Sequence, residues 1–196
     1  MAVFFYFYFY IKIKLVSLVS NLFKMHLLRI IIVFFVILFH YAVSFAQQLP
    51  PIVKYSNEVY NAGIQNWMIS QDNQRFMYFA NNEGLLEFNG STWVLNPSPN
   101  ETIIRSVKCI GDKIYTGAFM EFGFWQRTVN GELQYTSLSN SINNKIKDDE
   151  QFWGIFPFDN WILFQSLENI YAYNTKSKTF TIISPQSTIN KAFKTP

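Results

Sequence analysis

Two kinds of hydrophobic patterning divide this chain. As far as Ala46 the side chains are apolar almost without interruption. From Gln47 onward the apolar residues come in short runs broken by Asn, Asp and Gly, the spacing of half-buried strands joined by tight turns. Twelve such runs can be marked. They fall into three sets of four: residues 67–70, 76–80, 84–88 and 92–95; then 104–110, 113–117, 121–125 and 133–137; then 152–156, 161–165, 169–173 and 179–183. The turn pairs Asp72-Asn73, Asn81-Asn82, Asn89-Gly90, Gly111-Asp112, Asn130-Gly131 and Asp159-Asn160 stand at the junctions.

The sets repeat in register. Tyr78, Tyr115 and Leu163 in the second runs are 37 and 48 residues apart, and Gly84, Glu121 and Asn169 at the third runs show the same two intervals. One insertion near Asn140 to Glu150 accounts for the longer interval, and its polar, charged composition predicts a surface loop. Four short strands per unit of roughly 40 residues is the pattern of propeller blades, each of which buries its faces against its neighbours. The predicted fold class is therefore all-β, a partial β-propeller of about three four-stranded antiparallel blades (64–98, 102–139 and 151–184) following an N-terminal hydrophobic helix. Trp67, Trp93, Trp125, Trp153 and Trp161 fall on or beside strands and are expected to fill the wedges between blades. Because a closed propeller takes about four to eight blades, residues 47–196 are expected to be an incomplete domain within a longer protein.

The apolar beginning reads in two parts. From Met25, a short polar start with His26 and Arg29 leads into the ten apolar residues 30–39 and then Ser44-Phe45-Ala46. That is the order of a secretory signal peptide (25–46), with cleavage between Ala46 and Gln47. An uncleaved anchor is the alternative. Residues 1–24 are of low complexity and either reflect a mis-assigned start, translation beginning at Met25, or form a separate membrane helix, against which Lys12 and Lys14 count.

Charge narrows the function. Lys12, Lys14, Lys24 and Arg29 precede Ala46, leaving 12 of the 16 basic and all 13 acidic side chains after it, a net charge of about −1. The pI of 8.9 is thus a property of the leader, and no nucleic-acid partner is expected for the segment beyond it. Both histidines, His26 and His40, also lie in the leader, so the remainder lacks the usual general base and zinc ligand. Cys109 is the single cysteine and reads as a small core residue. No phosphate loop, nucleophile–base pair or cofactor motif occurs, and neither catalytic nor metal residues are assigned. A carboxylate pair of Glu87 and Glu121 is the nearest approach to glycosidase chemistry. Asp148-Asp149-Glu150 lacks calcium-loop spacing and reads as a solvated charge run. Asn89-Gly90-Ser91 and Asn100-Glu101-Thr102 match the glycosylation pattern, to which no function is assigned.

Several segments together carry a resemblance. Leu49-Pro50-Pro51-Ile52, Trp67, Tyr78-Phe79-Ala80-Asn81, Glu83-Gly84-Leu85-Leu86-Glu87-Phe88-Asn89-Gly90, Trp93, Arg105-Ser106-Val107, Ile114-Tyr115-Thr116-Gly117 and Glu121-Phe122-Gly123-Phe124-Trp125 resemble the periplasmic sensor region of Bacteroidota regulators. These are the two-component-regulator-propeller proteins with a triple-tyrosine module and, in many members, a LuxR-type helix-turn-helix. The resemblance spans residues 47–183. It implies a periplasmic ligand-sensing propeller, anchored in the inner membrane in its full-length form, with further blades and signalling domains that act as a dimer.

The function expected is that of an exported, non-catalytic, ligand-sensing fragment of a signal-transduction or transcription regulator. An exported propeller enzyme acting on glycans and an adhesion or scaffold propeller are the alternatives. Its ligand is an unknown small molecule or oligosaccharide. Propeller ligands gather near the axis, where first strands and connecting loops converge, which selects Arg105, Glu121 and Trp125, with Asn81 and Glu83 from the preceding blade.

Overall fold

The computed structural model describes residues 2–43 and 50–190. The proposed cleavage site at Ala46 and Gln47 lies outside the described residues. Met1–Val53 and Lys54–Pro196 form separate compact units.

The first unit is one α-helix, α1, Ala2–Val43. It continues through Met25, so the two parts read in the leader form one element. Within it Lys14–Phe39 has a mean hydropathy of 2.4 and no buried residues. At 1.5 Å per residue those 26 residues reach about 39 Å, more than the ~30 Å of a bilayer core. By length and composition this helix is long and apolar enough to cross a membrane, a property that a signal sequence shares.

The second unit opens with one helical turn, α2 (Asn57–Tyr60), and continues with twelve strands. These are β1 (Asn66–Gln71), β2 (Met77–Asn81), β3 (Gly84–Phe88) and β4 (Trp93–Pro97); β5 (Ser106–Ile110), β6 (Lys113–Gly117), β7 (Phe122–Arg127) and β8 (Leu133–Ser137); and β9 (Gly154–Phe158), β10 (Trp161–Gln165), β11 (Ile170–Asn174) and β12 (Phe180–Ile183). Each group of four is an antiparallel sheet in chain order, and the first strands β1, β5 and β9 adjoin one another in succession. This is the blade arrangement of a propeller, and the fold class is all-β, as the repeat implied. Local chemistry explains the hairpins. Asp72 Oδ1 accepts the amides of Gln74 and Phe76, Asn89 Oδ1 accepts those of Ser91 and Thr92, and Asp159 takes a φ of 49° to reverse the chain into β10.

Two apolar layers hold the sheets together. Tyr78, Ala80 and Leu85 of the first sheet meet Val107, Ile114 and Trp125 of the second, with Ile104 and Ala118. Tyr115 and Phe122 of the second meet Ile155, Ile162, Phe164, Tyr171 and Tyr173 of the third, with Phe152. Neighbouring residues of the middle sheet, Ile114 and Tyr115, point into different layers, as the two-residue strand period requires. Both faces of that sheet therefore carry an apolar layer, with Lys108, Gln126, Gln134 and Thr136 remaining exposed. The Phe122 ring stacks on Phe164 at 4.4 Å and meets Phe152 edge-on at 4.6 Å.

Three expectations need correction. The insertion after β8 is not simply a surface loop: two 3-10 turns, Ser139–Ser141 and Asn143–Lys145, turn Ile142 and Ile146 inward to extend the second layer. Glu150 does not belong to a solvated charge run, being only 4% exposed, with its Oε1 accepting from Ser166 Oγ and Asn169 Nδ2. Among the tryptophans, only Trp125 sits in an inter-sheet layer. Trp93 instead gathers Phe79, Phe88, Tyr55 and Tyr60 on the other face of the first sheet. Trp161 alternates with the buried Ile162, so it points away from the second layer. Trp67 and Trp153 lie at the ends of the first strands.

Candidate functional site

Arg105 immediately precedes β5, and its neighbours hold it in place. Ile104 is buried in the first layer with its amide donating to Asn81 O, and Ser106 Oγ donates to Phe152 O at 2.8 Å. The Arg105 amide donates to Gly117 O at 2.8 Å. Trp153, the residue before β9, makes the equivalent bond to Gln165 O at 2.8 Å. Trp67 lies where β1 bulges against β2, between the paired residues Asn66 and Met68. A bulge re-aims the side chain it carries, and the Trp67 indole Nε1 donates to Asn82 Oδ1 at 2.8 Å.

These three residues from three sheets meet. The Arg105 guanidinium lies 4.2 Å from the Trp67 ring centroid and 4.8 Å from that of Trp153, and the two rings contact edge to face at 5.8 Å. Arg105 Nε donates to Gln151 Oε1 at 2.9 Å. Partial burial pulls the guanidinium pKa below its ordinary value, and the aromatic faces offset that cost by about 0.5–1 kcal/mol each. A depression of about 330 Å³ opens beside the cluster, lined by Asn82, Glu101, Thr102, Arg105, Phe119 and Gln151 among others.

The other residues selected from the sequence behave differently. Asn81 is fully buried; its Nδ2 donates to Gly63 O and Asn66 Oδ1, and its Oδ1 accepts the Glu83 amide. It shapes the turn beside the depression rather than lining it. Glu83 is exposed on that turn. Glu121 accepts from Tyr135 Oη and Ser137 Oγ, both at 2.8 Å, within its own sheet. Trp125 is 5% exposed, with Nε1 donating to Thr116 Oγ1, so its part is in the core. Reading the sequence for core positions missed Trp67, Trp153 and Gln151 as partners of Arg105. The usable signal was positional, since Arg105 and Trp153 each occupy the second place of a run predicted as a first strand, and the structure starts β5 and β9 just after them.

A second depression, about 300 Å³, lies at the opposite end of the strands among Asp72, Gln74, Tyr78, Asp112, Gln126 and Arg127. Its polar groups satisfy one another: Gln126 Nε2 donates to Asp112, Tyr78 Oη to Asp72, and Arg127 to Glu87, Tyr78 and Gly131 O. Glu87 is engaged at this end, whereas Glu121 precedes β7 at the other. The two carboxylates therefore do not form a pair across a shared cleft. Cys109 is half-buried, and burial raises its thiol pKa, which suppresses thiolate reactivity. No group of three or more His, Cys, Asp or Glu side chains able to hold a metal occurs among the described residues.

No protein-family model matches this chain, and no curated protein matches it. Among solved structures it is similar to two of the extracellular domain of BT4673 from B. thetaiotaomicron, described in one as a one component system and in the other as a hybrid two component system. Each has a TM-score of 0.49 and 16% identity, over 70% of this chain and 17% of that one. The chain thus spans only about a sixth of the length of the structures it matches.

Proposed function

We propose that this chain is the exported, ligand-sensing blade region of a signalling protein, and that it binds without catalysis at the end of the sheets where Arg105, Trp67 and Trp153 meet. One observation carries the reading. A cation held in the corner of two aromatic rings, at the connecting segments of three sheets, borders a depression whose other lining groups are mostly hydroxyl, amide and carboxylate. Sites for small hydroxylated ligands combine such flat apolar surfaces with a few oriented polar groups.

The resemblance to periplasmic sensor regions of propeller regulators supports the role and gives it a setting. The segment would face the periplasm, tethered at the inner membrane, with further blades and signalling domains contributed by a longer protein. Ligand binding would there bias a dimer and, through it, transcription. Glycosidase chemistry is the weaker reading because Glu87 and Glu121 are each committed to structural hydrogen bonds at opposite ends of the sheets.

The test is titration of the full chain in detergent micelles with a mixture of bacterial and plant oligosaccharides, following tryptophan fluorescence and reducing-end release together. Saturable quenching that Trp67→Ala abolishes, with no new reducing ends, is the expected result. Release of reducing ends would overturn the non-catalytic reading, and quenching unchanged in Trp67→Ala would overturn the site.

A further inference from the structure

We infer that the ligand of this face is a monoanion, bound through a carboxylate or sulfate group by the outward edge of the Arg105 guanidinium. The inference rests on the binding face proposed above and adds its chemical selectivity.

Arginine offers five N–H donors in a rigid planar fork. At Arg105 only Nε has an acceptor, Gln151 Oε1. The ion pairs among the described residues are Arg127 with Glu87 and Lys147 with Glu168, and neither involves Arg105. Nor do its terminal nitrogens figure among the buried polar atoms without a partner, which are Trp93 Nε1, Thr128 Oγ1 and Glu150 Oε2. The remaining N–H groups are therefore open to solvent. Arg127 shows the contrast, since each of its terminal nitrogens has an acceptor within the protein.

The two indoles decide how a ligand approaches. The guanidinium sits in the corner formed by the Trp67 and Trp153 rings, which meet at 75°, so the donors turned away from that corner are left for recognition and match the paired oxygens of a carboxylate or sulfate. Because the rings and Gln151 already hold the side chain, little rotamer freedom remains to be lost on binding. Charge sets the valence. Arg105 is the only basic residue lining the depression and Glu101 lies on its rim, so one negative charge is compensated and a second is repelled. At about 330 Å³ the space is at the small end of ligand sites, fitting a sugar acid or a singly sulfated sugar rather than a polyphosphate.

The experiment titrates the full chain in detergent micelles with glucuronate, glucose 6-sulfate and glucose at fixed ionic strength, reading tryptophan fluorescence. At least one anionic sugar should bind about tenfold or more tightly than glucose, the worth of one charge-assisted bond pair. Binding of glucuronate alone assigns a carboxylate, of glucose 6-sulfate alone a sulfate, and of both the shared fork. Arg105→Gln should abolish the preference, and Arg105→Lys, which keeps the charge but not the fork, should reduce it; thermal melting verifies that each variant is folded. Glucose binding as tightly as both anions would overturn the inference while leaving the binding face intact. An anion preference that survives in folded Arg105→Gln would also overturn it, as would no response to any of the three. The sensing role itself is decided separately by the oligosaccharide titration.

Discussion

Arg127 on β7 of the second sheet donates through Nη2 to Glu87 Oε1 on β3 of the first at 3.0 Å, and the same nitrogen reaches Tyr78 Oη at 3.0 Å. Tyr78 in turn donates to Asp72 Oδ2 at 3.1 Å. A polar chain thus runs along one end of the layer between the first two sheets, complementing the apolar contacts of Tyr78, Ile114 and Trp125. The two partners are unequally placed, with side chains 30% exposed for Arg127 and 8% for Glu87.

That inequality predicts an order of damage. Arg127→Ala strands a buried carboxylate and is expected to cost about 2–3 kcal/mol, whereas Glu87→Ala leaves an arginine that water can reach and is expected to cost about 1 kcal/mol less. Urea unfolding of the two variants and the double variant checks this. Equal losses would show that the pair's burial does not govern its contribution.

Glu150 gives a second prediction. Its Oε1 takes donors from Ser166 and Asn169, while Oε2 is buried without a partner. Glu150→Gln preserves the acceptor and should change stability by under about 1 kcal/mol, but Glu150→Ala leaves the Asn169 amide unpaired in the interior and should cost about 2 kcal/mol. Thermal melts of both variants distinguish them, and a Gln variant as damaged as the Ala variant would refute the acceptor role.

Gly123 on β7 pairs with Ser137 of β8. An added Cβ would run into Thr136 O and come within 2.5 Å of Tyr135 Oη. Gly123→Ala should therefore cost about 3 kcal/mol through overpacking. At Gly111 an added Cβ meets nothing within 4 Å, although its φ of 62° favours glycine, so Gly111→Ala should cost about 1 kcal/mol. Denaturant midpoints for the pair provide the comparison.

Alkaline sensitivity should follow from the buried tyrosines. Burial, with smaller contributions from Tyr173 and Asp112, pushes the Tyr115 phenol up to about 12 from 10.0. Burial first, and then neighbouring carboxylates, also raise Tyr78, Tyr135 and Tyr171. Above about pH 10 the unfolded chain loses phenolic protons that the folded chain retains, so stability falls from there upward, and the Tyr115 share levels off above about 12. Urea midpoints at pH 8, 10 and 11, read beside tyrosinate absorbance, should show the two changes together. Native-state titration of these phenols at pH 10 would contradict their burial.

The strands were legible because each obeys local rules. Gly84–Phe88, Lys113–Gly117, Leu133–Ser137 and Trp161–Gln165 coincide with their predicted runs, each bounded by turn residues whose chemistry acts over two to four positions. Arg105 was also accessible to reading, from its place in the run predicted as a first strand. The rest of its cluster was not. Trp67 is exposed where β1 bulges and Trp153 is half-buried just before β9, and composition alone does not distinguish either indole from a core one. Glu150 followed two aspartates and looked solvated, yet it is buried against Ser166 and Asn169 of the third sheet, far along the chain.

By itself the sequence determined the all-β class, the fourfold grouping of strands and the apolar leader, because periodicity and turn chemistry are written within a few residues. Only the tertiary structure decided which polar and aromatic side chains meet: Trp67, Arg105 and Trp153 are 38 and 48 residues apart and come together because three first strands adjoin. The physical reason is that hairpin formation depends on neighbouring residues, whereas the packing of one sheet on the next places side chains according to its geometry rather than their spacing.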